Sequence, residues 1–535
     1  MRLHSFAIEN HSRIRDVKVS VREHLVVIGA NDVGKTSLLR SLNFLFGSSV
    51  QQLYQGLSIE DIADPALPMV VRAVLADFTE DERALFPDEI SISPDRSESL
   101  TVELIVEAND EDSEQISVRR IFPEGGGRAP SRDQLQAFGW QYLPANRGAS
   151  ADFMEGRRSP LKAMLASADL GSDEAELAST LEAFNIRLDN NEALIELRSK
   201  LAEHLSRSMP RAIGMQELTL RTTTDPTTDV LDEVALFLKR DDTVKALGEQ
   251  SDGVRQLMTM TFFDLAQSAA NMVAVDEPEL HLHASSQRTV AELFAQGRNQ
   301  RLLVTHSPYI VQRFEPRHVL VVTSDRSVRQ LPEASFSAVD KERANWWSPH
   351  LLEALTARHV LIVEGAADKA FVEACSRVMG VSLDRLGVSV LDLGGAEKFS
   401  HVYRLLGQGG FDLNLIGLVD HAERGKWVSA LGAKPADINK KTLFVSNPDL
   451  EAEYAQGMTG PVAGKALIKE GVCKKEGLLN AASVEKLSRV SDESLASFAR
   501  GRKVLAAVAV GKHVTPEQIS TMPAISGLMT YLGSL

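Results

Sequence analysis

Cysteine is nearly absent from this chain: of 535 residues only Cys375 and Cys473 are cysteines, and neither lies in a CxxC or His/Cys metal spacing. That excludes a disulfide framework and a thiolate zinc site, and it fits reduced thiols in a cytosolic protein. Long apolar runs are missing too. None approaches the roughly 18 residues that cross a bilayer, so no membrane partner is expected. The opening "MRLHSFAIENHSR" lacks the apolar stretch of a secretory signal. Excess positive charge is the third absence, since 58 Lys and Arg against 73 Asp and Glu leave a net charge of −15. A generally basic nucleic-acid coat is thereby excluded, because neutralising phosphates takes Lys and Arg. Local basic clusters do remain in the C-terminal third, at "KPADINKK" (434–441), "CKK" (473–475) and "RGRK" (500–503). With 44% apolar and 24% charged residues the chain is an ordinary globular one, long enough for about two to four domains.

What is present begins with "EHLVVIGANDVGKTSLLRSLNFLF", a buried strand, a glycine-containing loop and an amphipathic helix. Gly29 to Thr36 fit GxxxxGK[ST], followed by Ser37. Gly29, Asn31 and Gly34 belong to a loop whose backbone N–H groups wrap phosphates, Lys35 reaches the β- and γ-phosphates, and Thr36 offers a Mg²⁺ ligand. Far downstream, "NMVAVDEPELHLH" ends a second apolar strand in Asp276 and Glu277. Acids at the carboxyl end of a buried parallel strand sit where such sheets bind ligands. Asp276 would hold Mg²⁺ through its water shell, and Glu277 would orient or deprotonate the attacking water. A third strand, "RLLVTHSPYIVQRF", presents His306 as a γ-phosphate sensor.

Ahead of these acids, "EQSDGVRQLMTM" sets Ser251, Asp252 and Gly253 before a helix. It resembles the signature loop of ABC-type ATPases, which contacts the γ-phosphate held by another subunit, and so implies a dimer. "WQYLPANRG" makes Arg147 a candidate phosphate-side residue, and from about 155 to 240 the pattern turns helical, as in "LASTLEAFNIRL". This insertion is too short for a long coiled-coil arm and is expected to be a dimerisation or interaction element.

After a break around "ANWWSP" the strand-helix alternation restarts. "RHVLIVEGAADKAFVEACSRVMG" is a strand ending at Glu364, then a helix with Asp368 in its first turn; "VSVLDLGGAEKFSHVYRLLGQ" and "LNLIGLVDHAERG" follow. Right-handed βαβαβ connections make these strands parallel, so Glu364 and Asp420 converge on one rim. Two neighbouring acids are usually tolerated because a divalent cation neutralises them, and oxygen ligands favour Mg²⁺ or Mn²⁺. "NPDLEAEYAQGM" adds Asp449, Glu451 and Glu453 at a helix start, where acids also serve as ordinary helix-dipole partners.

The motifs "GANDVGKTS", "VDEPELHLH", "VTHSP", "VLIVEGAADKAF", "GLVDHAE" and "DLEAEY" together resemble the overcoming-lysogenization-defect (OLD) family, which joins an ABC-type ATPase head to a C-terminal TOPRIM domain. The resemblance implies an α/β chain with a P-loop ATPase head over about 1–345 and a Rossmann-like TOPRIM nuclease domain, with a C-terminal helical segment, over about 350–535. It implies DNA as substrate, ATP and Mg²⁺ or Mn²⁺ as cofactors, a homodimer or higher oligomer, an antiviral role, and in some systems a second defence protein. By the same carry-over Glu364 and Asp368 bind one side of the metal site and Asp420 sits at its centre. Glu451 or Glu453 completes a second metal, and Lys503, with Lys512 as alternative, offsets transition-state charge. The usual Asp-x-Asp strand is altered here: Asp420 is followed by Glu423, a form that would keep a second acid or relocate a metal. The leading expectation is an ATP-binding, metal-dependent DNA endonuclease or nickase; its alternative is an ATP-driven nucleic-acid sensor or scaffold that no longer cuts. A weaker third reading is hydrolysis or transfer of nucleotides at the TOPRIM site.

Overall fold

The computed structural model describes all residues except 110–114, 146–169, 172, 193, 197–198, 200–236, 241–242, 247–250, 252, 255, 258, 261–262, 264–269 and 333–348. The chain forms two compact units. The first comprises Met1–Leu143, Ala270–Glu279 and Asn299–Leu535; the second comprises Pro144–Ala269 and Leu280–Arg298.

In the first unit an antiparallel sheet runs β2 (Val17–Ser20), β1 (Arg2–Glu9), β4 (Met69–Ala76), β6 (Glu98–Ala108), β5 (Ile90–Ile92), with β7 (Ile116–Ile121) also on β6. Its strands alternate buried and less buried positions, as one-sided antiparallel sheets do. A second sheet is ordered β14 (Val328–Gln330), β13 (Val319–Val322), β3 (Leu25–Gly29), β12 (Gln300–Val304), β11 (Met272–Asp276), β8 (Trp140–Leu143). All but β14 are parallel. Here β3, β11 and β12 are buried at every position, the near-continuous apolar run expected of a strand covered on both faces. Helix α1 (Lys35–Phe46) packs against both sheets through Leu38, Leu39, Leu42 and Leu45. Its N-terminus therefore points from the core toward the carboxyl ends of β3 and β11.

A third sheet, β16 (Val388–Asp392), β15 (His359–Val363), β17 (Leu415–Asp420), β18 (Leu443–Ser446), is parallel throughout. The βαβαβ reading of this segment holds, and Glu364 and Asp420 leave adjacent strands on the same rim. The segment 333–348, which includes most of the expected linker, lies outside the described residues. Pro349 opens a helix (Pro349–Thr356) that packs against β3, β13 and β16, strands of both parallel sheets.

The C-terminal helices close over the third sheet. Those used below are Ala366–Val378, Leu450–Met458, Lys503–Gly511 and Pro523–Gly533. The first and third of these lie in close contact, with Ala506, Ala507, Ala509 and Gly511 buried. A Cβ on Gly511 would stand 2.6 Å from that of Ala374, so the small residue is what lets the two axes approach. That approach brings the Lys503 end of the helix toward Asp368.

In the second unit, Asp173–Asp189 is a helix within the stretch of about 155–240 expected to be helical. At the expected end of that stretch, Phe237–Arg240 pairs antiparallel with Thr243–Ala246.

Candidate nucleotide pocket and carboxylate site

The loop from β3 to α1 bends through two glycines that admit no side chain. Gly34 has φ +95°, and a Cβ there would lie 2.7 Å from the Arg13 carbonyl oxygen; at Gly29 it would lie 2.4 Å from that of Val322. The loop borders a cavity of about 600 Å³ lined by Asn31, Gly34, Lys35, Thr36, Ser37, Glu277 and His306, together with Arg13, Asp32 and Arg326. Sequence reading anticipated the first seven and missed the three charged residues. Arg13 and Arg326 come from a loop and a tight turn with no motif of their own. Arg326 is in the left-handed region and donates to Ser12 O at 3.2 Å.

Lys35 is 5% exposed, and its Nζ donates to Ala30 O at 2.5 Å. Burial lowers its pKa, opposed by Glu277, Asp276, Asp32 and Glu279. Asp276 is fully buried at the end of β11. Glu277 adopts φ +46°, donates its N–H to Val304 O at 2.8 Å, and faces His306 Nε2 at 3.8 Å. His306 is held below the usual histidine range by burial and then by Lys35, against the pull of Glu277. Glu279, which sequence reading passed over, organises this corner: it accepts from Thr305 Oγ1 at 2.8 Å and from His306 N at 2.5 Å. Burial raises its pKa, and those two bonds oppose the rise. A glycine cradle, three cations and adjacent hydroxyls fit the phosphates of a nucleotide and a hydrated divalent cation. Ser251 and Gly253 belong to the second unit, and Asp252 and Arg147 lie outside the described residues.

At the rim of the third sheet, four acids and one lysine come together. The Asp420 N–H donates to Glu364 Oε1 at 2.9 Å, and Leu450 N donates to Asp420 Oδ1 at 3.2 Å. Asp368 Oδ2 accepts from Gly365 N at 2.9 Å, capping its own helix. Lys503 Nζ stands 3.9 Å from Glu451 Oε1, while Glu451 Oε2 is buried without a hydrogen-bond partner. Burial, with repulsion from Glu364 and Glu451, pushes Asp368 up to about 7 despite the Gly365 bond and Lys503. Burial, then Glu364 and Asp368, does the same for Asp420, again to about 7. Glu451 is raised by burial and held back by Lys503.

Glu364, Asp368 and Asp420 thus each engage one oxygen in a hydrogen bond from a backbone N–H, while Glu451 has only the Lys503 contact. An oxygen-only donor set of this charge fits Mg²⁺ or Mn²⁺. Among the described residues no three His, Cys, Asp or Glu stand grouped at coordination spacing.

Four residues singled out in the sequence are not part of this cluster. Glu453 turns to the opposite side of its helix and accepts from Ala524 N at 2.7 Å and Ile525 N at 3.1 Å, capping helix Pro523–Gly533. Residues two apart on a helix lie about 200° around its axis, so Glu451 and Glu453 cannot share a site. Glu423 is paired with Lys426 Nζ at 2.9 Å, three residues along its own turn. Lys512, at the far end of the helix that Lys503 begins, is paired with Glu470 at 2.7 Å. Asp449, the helix N-cap, binds Arg500 through Oδ2 at 2.7 Å and Oδ1 at 3.2 Å.

Residues 25–312, more than half of the chain, match the family described as "AAA domain, putative AbiEii toxin, Type IV TA system". The chain belongs to this AAA family. Residues 355–421 match the "Overcoming lysogenization defect protein-like, TOPRIM domain". An AAA ATPase domain and an OLD-like TOPRIM domain therefore stand in one α/β chain, as the sequence motifs implied. The chain is 18% identical over 423 residues to Endonuclease GajA of Bacillus cereus (strain VD045), spanning 75% of this chain and 72% of that protein. Among solved structures, the C-terminal region of the Burkholderia pseudomallei OLD protein matches at 20% identity over 33% of this chain and 98% of its own, with a TM-score of 0.27. The SMC head domain from Thermotoga maritima matches at 12% identity over 62% of this chain and 100% of its own, with a TM-score of 0.32. Among the described residues of this AAA–TOPRIM chain, no helix is long and apolar enough to cross a membrane.

Proposed function

We propose that this chain is an ATP-binding, divalent-metal-dependent DNA endonuclease or nickase of the OLD type. The observation that carries the reading is the gathering of Glu364, Asp368, Asp420 and Glu451 with Lys503 at one sheet rim. The endonuclease relative and the OLD-like TOPRIM match support it. A bound divalent cation would supply Lewis acidity and lower the pKa of a coordinated water. The chain's own residues do the rest. Glu364, Asp368, Asp420 and Glu451 hold the cation, and Lys503 faces the negative charge that develops on the scissile phosphate.

In the AAA part, Lys35, Arg13 and Arg326 would bind the triphosphate. Glu277 would orient the attacking water, with Glu279 fixing the Thr305–His306 corner beside it. ATP binding at a head dimer would then gate the nuclease. An antiviral role and a separate protein partner belong to the same reading by family likeness.

The test is cleavage of supercoiled and linear DNA with Mg²⁺ or Mn²⁺, with and without ATP. Wild type would be compared with Asp420→Ala and Lys35→Ala. Cleavage surviving in Asp420→Ala would refute the site. A second reading, a sensor that binds nucleic acid without cutting, is favoured by Glu423 being engaged with Lys426, where the usual strand would offer a second acid. Metal-dependent DNA binding with no product from any substrate would select it.

A further inference from the structure

The phosphate loop carries a charge that its backbone does not require. Asp32 has φ +60°, in the left-handed region where glycine and asparagine are as well accommodated as aspartate. Either would satisfy the turn without adding charge. Asp32 instead places an exposed carboxylate on the wall of the same cavity as Lys35, Thr36 and Glu277. It is close enough to Lys35 to raise that lysine's pKa, acting together with Glu277, Asp276 and Glu279. The cations lining this cavity are Arg13, Lys35 and Arg326, so the acid offsets part of the attraction a phosphate chain would feel.

A bare triphosphate is more anionic than its complex with a divalent cation, and like charges in a partly enclosed pocket repel more strongly than in bulk water. We infer that Asp32 is a specificity-determining residue that makes this pocket select the metal-bound nucleotide over the free one. The inference rests on the nucleotide reading of the pocket. It adds that the loop itself, and not the acids after β11 alone, enforces the metal requirement.

The experiment is equilibrium binding of a fluorescent ATP analogue to the full-length chain, in Mg²⁺ and in EDTA. Wild type, Asp32→Asn, Asp32→Gly and Lys35→Ala are compared. Both Asp32 variants tolerate φ +60°, so if one fails to fold the other still reports. The expected result is a preference of wild type for the Mg²⁺ form that shrinks by about tenfold or more in the Asp32 variants, chiefly through tighter binding in EDTA. An unchanged preference, or equal tightening in both conditions, would overturn the inference while leaving the nucleotide pocket standing. Wild type that binds the analogue in neither condition, or no better than Lys35→Ala, would overturn the pocket and the inference together.

Discussion

The backbone N–H of Asp420 donates to Oε1 of Glu364 at 2.9 Å, joining two residues 56 positions apart in sequence. This one bond welds the ends of two adjacent parallel strands and turns one oxygen of Glu364 inward. The other oxygen is left on the rim with Asp368 and Asp420, where the acids repel one another.

That repulsion is a source of instability. Asp420→Asn keeps the shape and an acceptor for Leu450 N while removing one charge. In EDTA near pH 8 its Tm should exceed that of wild type by about 2–5 °C. Saturating Mg²⁺ should raise wild type and leave the variant nearly unmoved. Calorimetry in the two buffers decides the matter, and a variant less stable than wild type in EDTA would contradict the electrostatic account.

Lys503 and Lys512 begin and follow the same helix, yet only Lys503 lies beside Glu451, at 3.9 Å. Lys503→Ala should slow DNA cleavage by about 10²- to 10³-fold, the usual loss when one charge-stabilising donor is removed. Lys512→Ala loses only an exposed ion pair with Glu470 and should stay within about threefold of wild type. Equal losses in single-turnover rates would mean that Lys503 has no special place in the reaction.

Glu453 caps a helix and Glu451 faces the site. Glu453→Ala leaves the Ala524 and Ile525 N–H groups without their acceptor, which should cost about 1–2 kcal/mol of stability. Glu453→Gln, which retains an acceptor oxygen, should cost less. Neither should alter the Mg²⁺ dependence of cleavage in the folded protein, whereas Glu451→Gln should weaken it. A Mg²⁺ titration that shifts for Glu453→Gln would return that residue to the metal site.

His318 carries a pH dependence unrelated to either site. It is 4% exposed, packs edge-on to His24 at 5.5 Å, and is pushed down to about 4 by burial, with His24, Arg317 and Arg22 adding to the effect and Glu315 opposing it. Because its folded pKa lies below the unfolded value of 6.5, its contribution is complete above that pH and is lost as pH falls toward 4. Between pH 7 and pH 5 the loss should be about 2 kcal/mol. His318→Phe should melt with a smaller Tm difference between those two pH values, and an unchanged difference would show that the buried ring is not what titrates.

Several features were legible because they are local. The phosphate loop is a contiguous backbone conformation, so its glycines, Lys35 and Thr36 could be read from spacing. Continuous apolar runs announced strands buried on both faces, and the handedness of βαβ connections then implied that Glu364 and Asp420 share a rim. Those are consequences of chain chirality and periodicity, which a sequence carries within itself. Packing decided the rest. Glu451 and Glu453 are alike in type, burial and helix, and only the placement of helix Pro523–Gly533 assigns one to capping and leaves the other facing Lys503. Lys503 reached the acids because Gly511 and its neighbouring alanines let two helices touch, a contact between segments more than a hundred residues apart. Arg13, Arg326 and Glu279 had no motif to betray them. Their places beside the P-loop cavity and its Thr305–His306 corner exist only where the tertiary fold sets one loop's charge or hydrogen-bond acceptor against another loop.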